Sequence, residues 1–147
     1  MADFERDDLD WTDGDMPYSR RFGDHFYSRA DGRAECRHVF MGGNDLPARW
    51  ERQGDFTIGE LGFGTGLNFL ETWRNWRQIG NCGMLSFVSF EAYPMTAEHM
   101  ERALSRWPEL SDLAGKLLAA WPSLADTPLA WKIDEKTTLS VIVGEAA

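Results

Sequence analysis

The sequence is poor in several things, and each shortage narrows the field. It has two cysteines, Cys36 and Cys82, far apart and without a secretion signal, so a structural disulfide is not expected. Its three histidines, His25, His38 and His99, do not combine with the cysteines in any zinc spacing, and no metal site is expected. No apolar run approaches the roughly 20 residues that span a bilayer. The opening MADFERDDLDW is acidic and lacks the basic and apolar parts of a signal peptide, which leaves the cytoplasm, with no membrane partner, as the expected location. Positive charge is scarce as well: 15 Lys and Arg stand against 24 Asp and Glu, a net charge of −9. Proteins that grip a phosphate backbone usually show a basic face. Any hold on nucleic acid must therefore come from a local patch, another domain or residues outside this chain. Otherwise the acidic balance serves solubility.

What is present describes a folded domain. The 147 residues have the length of one domain. A hydrophobic content of 43%, with 13% aromatic, is enough for a core. Residues 1–16 are Asp-rich and poor in aliphatics, and read as a flexible acidic lead before a domain over 17–147. Two strands near His25–Arg29 and Glu35–Met41, joined by the turn Ala30-Asp31-Gly32-Arg33, read as a hairpin. A short helix around Leu46–Gln53 follows. Phe56–Leu61 reads as an apolar strand, Leu67–Gln78 as a helix with Leu67, Leu70, Trp73 and Trp76 along one face, and Met84–Glu91 as a second strand. Thr96 is placed to N-cap a helix over Ala97–Trp107, stopped by Pro108, with another over Leu110–Trp121. Leu129–Ile133 and Leu139–Val143 close the chain as strands around a tight turn at Asp134–Thr137. Such alternation argues for an α/β sheet with helices on its faces.

Chemistry concentrates at Glu60-Leu61-Gly62-Phe63-Gly64-Thr65-Gly66, between the first of these strands and its helix. A loop there turns backbone N–H groups toward a ligand at a helix N-terminus, and glycine allows tight turns and close approach. The spacing is Gly-x-Gly-x-Gly, followed by Leu67-Asn68-Phe69, so the dinucleotide fingerprint is not met. Glu60 just before the loop would repel a pyrophosphate. It suits a cationic methyl donor, whose ammonium or an attached water it can face. Glu91, at the tip of the next strand, stands where nucleotide-binding α/β folds place an acid for the two ribose hydroxyls. Glu145, after the last strand, is read two ways, as a neighbour of an adenine amino group or as part of a frayed terminus.

Four stretches then carry a resemblance. Phe22-Gly23-Asp24-His25-Phe26-Tyr27-Ser28, Glu35 to Asn44 with its Phe-Met-Gly-Gly-Asn, Glu60 to Phe69, and Ser89-Phe90-Glu91-Ala92-Tyr93-Pro94 resemble the methyltransferase domain of the bifunctional tRNA 5-methylaminomethyl-2-thiouridine biosynthesis protein, from about Tyr18 onward. The resemblance implies a class I, Rossmann-like fold that uses S-adenosylmethionine to methylate the 5-aminomethyl group of wobble (2-thio)uridine in tRNA. It also implies an FAD-dependent oxidase, fused or separate, that makes the amine; FAD would belong to that oxidase. The residues it assigns to the cofactor are Glu60, Gly62, Phe63, Gly64, Thr65, Gly66, Asn68 and Glu91, with Gly42, Gly43, Asn44, Tyr27 and Ser28 closing over it and Glu145 near the adenine. Two departures stand out. Gly144-Glu145 replaces the family's usual Gly-Asp, and the sequence stops at Ala147, before the Asp-Gly-Phe-x-Pro segment that lines the family's catalytic pocket. The expectation is the front part of a domain that binds cofactor weakly or not at all and does not turn over, its amine-side acid lying beyond residue 147.

Three rival readings remain: a methyltransferase for another substrate, a non-catalytic interaction remnant, and an NAD-type dehydrogenase, which the glycine spacing and Glu60 both disfavour. The tryptophans at helical positions, Trp73 and Trp107, are expected in the core rather than stacked on bases. Arg20, Arg21, Arg29, Arg33 and Arg37 form one local basic cluster, read either as a phosphate contact or as a charge-paired hairpin with Asp24, Asp31 and Glu35.

Overall fold

The computed structural model describes residues 9–12, 16–22, 24–25, 33, 42, 46, 54–79, 83–126 and 131–143, and their strands form two sheets. The smaller sheet is antiparallel, in the order β1 (Leu9–Thr12), β2 (Met16–Ser19), β3 (Asp24–His25). It corrects the reading of residues 1–16 as a flexible lead, at Leu9–Thr12 and at Met16. What holds β1 is tertiary: the Trp11 ring meets His99 edge-on at 5.9 Å and lies under the Arg102 guanidinium at 4.2 Å. Leu9 packs on the core and Met16 is buried. Where the sequence suggested a hairpin with Glu35–Met41, His25 of β3 pairs with Tyr18 of β2. Residues 26–29 and 35–41 lie outside the described residues, as does all of the Leu46–Gln53 helix except Leu46, which is buried.

The larger sheet follows the expected alternation: β4 (Phe56–Leu61), α1 (Leu67–Ile79), β5 (Leu85–Glu91), α2 (Ala97–Leu104), a 3₁₀ turn (Pro108–Leu110), α3 (Ser111–Asp126), β6 (Trp131–Asp134) and β7 (Thr137–Val143). Its order is β4-β5-β7-β6, with β4, β5 and β7 parallel and β6 antiparallel at the edge. This is a Rossmann-like α/β arrangement. Helix α2 starts where the cap residue predicts, since the His99 N–H donates to Thr96 Oγ1 at 3.2 Å. It ends at Leu104 rather than Trp107, because Pro108 opens the 3₁₀ turn. None of the described helices is long and apolar enough to cross a membrane.

Sheet topology decides which face is closed. The steps from β4 to β5 and from β5 to β7 run the same way across the sheet. Right-handed crossovers then put α1, α2 and α3 on one face. The register agrees: Phe56, Leu85 and Thr137 form one row across the strands, then Ile58, Phe87 and Leu139, then Glu60, Ser89 and Val141, and every one of these residues is buried. Phe69, Leu70 and Trp73 from α1, Met100 from α2 and Leu117 from α3 complete that core. The tryptophans behave as the helical spacing requires: Trp73, Trp76, Trp107 and Trp121 are all buried. Trp73 Nε1–H donates to Asp134 Oδ2 at 2.7 Å, and Trp121 Nε1–H to the Met95 carbonyl at 2.7 Å, so these two buried indoles keep their polar atoms satisfied.

One buried ion pair ties the early chain to this core. The Arg33 guanidinium forks onto Glu71 of α1, with Nε to Oε2 at 3.0 Å and Nη2 to Oε1 at 3.1 Å, and also reaches Glu109 through Nη1. Burial works against the Arg33 charge, but the two carboxylates outweigh it and hold its pKa above the ordinary value. Arg33 is therefore held by partners on α1 and the 3₁₀ turn, which neither the phosphate contact nor the pairing with Asp24, Asp31 and Glu35 had anticipated.

Candidate functional site

The glycine loop leaves β4 at the sheet's carboxyl edge and enters α1. The Gly62 N–H extends the ladder to the Phe90 carbonyl at 2.7 Å, and the Gly66 N–H closes the turn onto the Phe63 carbonyl at 3.0 Å. All three glycines have positive φ: 86° at Gly62, 57° at Gly64 and 87° at Gly66. A side chain there would be strained, which explains the residue type before any ligand is considered. The surroundings then separate their roles. Among the described residues, a Cβ on Gly62 would meet nothing within 4 Å, so that side of the loop is open toward them. A Cβ on Gly66 would meet Leu117 Cδ2 at 2.9 Å and Phe63 Cε2 at 3.0 Å, so Gly66 serves close packing. The Phe63 ring turns inward, stacked on Trp121 at 5.2 Å, and Thr65 is buried. Only the backbone of these two residues is left to meet a ligand.

The two acids stand on the same sheet face but in different rows. Glu60 lies across from Ser89, whereas Glu91 stands one same-face step further along β5, roughly 7 Å nearer the carboxyl rim at the usual strand rise. Each is less than a tenth exposed, at 7% and 8%, but their covers differ. Glu60 is held by side chains inside the fold: Ser89 Oγ lies 2.8 Å from its Oε1, and Asn68 Nδ2 donates to its Oε2 at 2.9 Å. Burial pushes its pKa up to about 7, opposed by the bonds from Asn68 and Ser89 and assisted by the charge of Glu91. Glu91 is held by backbone: the Gly64 N–H donates to Oε1 at 2.8 Å and the Tyr93 N–H to Oε2 at 3.0 Å. A carboxylate offers about four acceptor positions, so two of those on Glu91 remain for incoming hydroxyls.

These contacts bring Glu60, Gly62, Gly64, Asn68 and Glu91 together as one assembly. Asn68 is committed to Glu60 through its side-chain amide. Gly42 is exposed. Tyr27, Ser28, Gly43, Asn44 and Glu145 lie outside the described residues. Ser89 and Tyr93 were not among the residues expected to matter. The trace each left in the sequence was its distance of two residues from Glu91, a same-face spacing for Ser89 and a turn spacing for Tyr93.

The arrangement offers two acceptor positions on Glu91 to hydroxyl donors and, at Gly62, a side where a ligand could meet bare backbone.

The chain is 46% identical, over 79% of its length, to the tRNA 5-methylaminomethyl-2-thiouridine biosynthesis bifunctional protein MnmC of Maricaulis maris. It is 41% identical, over 99% of its length, to the protein of that name from Pseudomonas aeruginosa. It spans only about a fifth of these relatives, 20% and 23% respectively. No protein-family model matches it. Among solved structures, MnmC2 from Aquifex aeolicus superposes with a TM-score of 0.62 at 16% identity, covering 95% of this chain and 42% of that one, a likeness of fold. The chain is thus similar, over most or nearly all of its length, to one segment of the MnmC proteins.

Proposed function

We propose that this chain is the cofactor-binding part of an S-adenosylmethionine-dependent methyltransferase that converts the 5-aminomethyl group of wobble (2-thio)uridine in tRNA to 5-methylaminomethyl. The observation that carries the reading is the bond from the Gly64 N–H to Glu91 Oε1, which joins the glycine loop to the strand-tip acid in one rim. When bound, S-adenosylmethionine supplies a methyl group on a positively charged sulfur. The residues here bind and orient. Glu91 accepts the ribose hydroxyls, and the backbone at Gly62 and Gly64 lines the approach. Glu60 keeps Asn68, on the first turn of α1, and Ser89, on β5, in place behind the loop. Methylation of an amine needs its lone pair in line with the methyl group. We assign no acid of this chain to that step.

In this reading the substrate amine is made by an FAD-dependent oxidase, fused in longer relatives or separate, and the work is done on tRNA in the cytoplasm. A calorimetric titration with S-adenosylmethionine tests the cofactor half. Transfer of labelled methyl to tRNA carrying 5-aminomethyluridine, compared with unmodified tRNA, tests the substrate half. The loop closed onto Glu91 narrows the expectation of weak or absent binding to weak, saturable binding, and with no acid of this chain assigned to the amine no RNA-dependent transfer is expected. Transfer above a no-enzyme control would overturn the expectation of an inactive chain, and no binding at all would overturn the cofactor half.

A further inference from the structure

The turn between β2 and β3 carries Arg20, Arg21 and Phe22, all exposed, in a chain with a net charge of −9. Arg20 pairs with Asp10 at 3.1 Å, an exposed contact. Arg21 reaches over the Tyr93 ring, its guanidinium carbon 4.1 Å from the ring centre. Phe22 meets the same ring edge-on, with centroids 6.1 Å apart, yet remains 68% exposed. The turn is fixed from below, since the Phe22 N–H donates to Ser19 Oγ at 3.2 Å. Tyr93 in turn is bolted to the candidate cofactor rim through its own N–H to Glu91. Among the described residues Phe22 meets the Tyr93 ring and is otherwise left to water, one residue away from Glu91.

We propose that Arg21, Phe22 and Tyr93 form a platform on which an unpaired base of the RNA substrate stacks, with Arg21 beside its phosphate. Charge favours this occupant. The overall balance repels a polyanion, so contact must be made at a local cation, and here Arg21 stands beside an exposed ring. Single-stranded RNA is recognised by such combinations of aromatic faces and arginine. The place fits too: a nucleotide stacked on Phe22, which leans on Tyr93, stands next to the candidate cofactor acid. This inference rests on the RNA-methylating reading of the same site and names the surface that meets the RNA.

The test uses the full chain, a fluorescently labelled RNA hairpin with unpaired uridine in its loop, and a parallel titration with S-adenosylmethionine. Phe22→Ala is expected to weaken RNA binding about tenfold, the usual scale for losing one base–aromatic stack, while Phe22→Trp restores it. Arg21→Gln is expected to weaken binding and to lower the salt dependence by about one charge. Cofactor affinity and the circular dichroism spectrum stay as in the parent chain. The proposal is overturned if the parent binds S-adenosylmethionine but no RNA, or if Phe22→Ala binds RNA as tightly as the parent. Failure to bind the cofactor as well would instead bring down the methyltransferase reading, and this inference with it.

Discussion

The ends of β4 and β5 carry the same functional group one row apart, and the fold treats the two differently. Glu60 is wrapped by Ser89 and Asn68, two side chains on elements that bracket it, and burial lifts its pKa to about 7. Glu91 is wrapped by the amides of Gly64 and Tyr93, which belong to the two loops that leave the sheet at its rim. An acid fastened by side chains behind the loop is a structural member. One fastened by loop amides can exchange or share those amides with a ligand. Under the proposed reading, two glutamates that look equivalent in sequence divide between holding the site together and meeting its occupant.

The largest expected effect that would sharpen this contrast concerns Glu60. Its folded pKa lies above the usual value of 4.5, so the folded chain keeps a proton that the unfolded chain has released. The stability Glu60 contributes is therefore full below pH 4.5 and is lost as pH rises through about 7. Glu60→Gln keeps the shape without the charge. Its stability relative to the parent should gain about 3 kcal/mol between acid pH and pH 8, a rise of about 5–10 °C in relative melting temperature. Thermal melts across pH check this, and parallel curves would mean that Glu60 is not a buried acid.

Glu91→Ala is next. Losing a charged acceptor for two hydroxyls should weaken S-adenosylmethionine binding by roughly tenfold to a hundredfold. Glu60→Gln at the same pH should leave affinity within about threefold; a comparable loss in both would erase the contrast.

The glycines come third. Gly66→Ala combines a forbidden backbone angle with crowding against Leu117 and Phe63, and should destabilise the chain by about 1–3 kcal/mol. Gly62→Ala has the angle without the crowding, so its stability loss should be the smaller and its effect on cofactor affinity the larger. Chemical denaturation and calorimetry separate the two. The smallest effect is expected from Ser89→Ala, which removes one bond that favours the ionised form of Glu60. It should move the Glu60 titration further up, as read by carboxyl-carbon resonance, and change stability by about 1 kcal/mol.

Much of the α/β half was legible because its signals are local. Phe56–Leu61 sets Phe56 and Ile58 at same-face spacing and runs into glycines that a turn with positive φ requires, and Thr96 with Pro108 brackets the region of α2. What could not be read depends on contacts distant in sequence. β1 alternates apolar and polar over only four residues, Leu9 to Thr12, inside an Asp-rich stretch, and Pro17 interrupts β2, so neither stands out as a strand; Trp11 holds them against α2. Arg33 lies in a basic cluster on paper, but its partner Glu71 is 38 residues away. Phe63, inside a binding motif, faces the core because Trp121 arrives from α3 to stack on it. The division between Glu60 and Glu91 rests on strand register, which sets Ser89 across from one acid and leaves the other at the rim.

The central claim is that S-adenosylmethionine docks on the rim formed by the glycine loop and Glu91. Its most direct test is an amide-resolved NMR titration of the full chain with that cofactor. The account predicts that the Gly64 and Tyr93 amides, the two now bonded to Glu91, shift most and saturate together. Saturation with those two amides unmoved and the largest shifts elsewhere would contradict it.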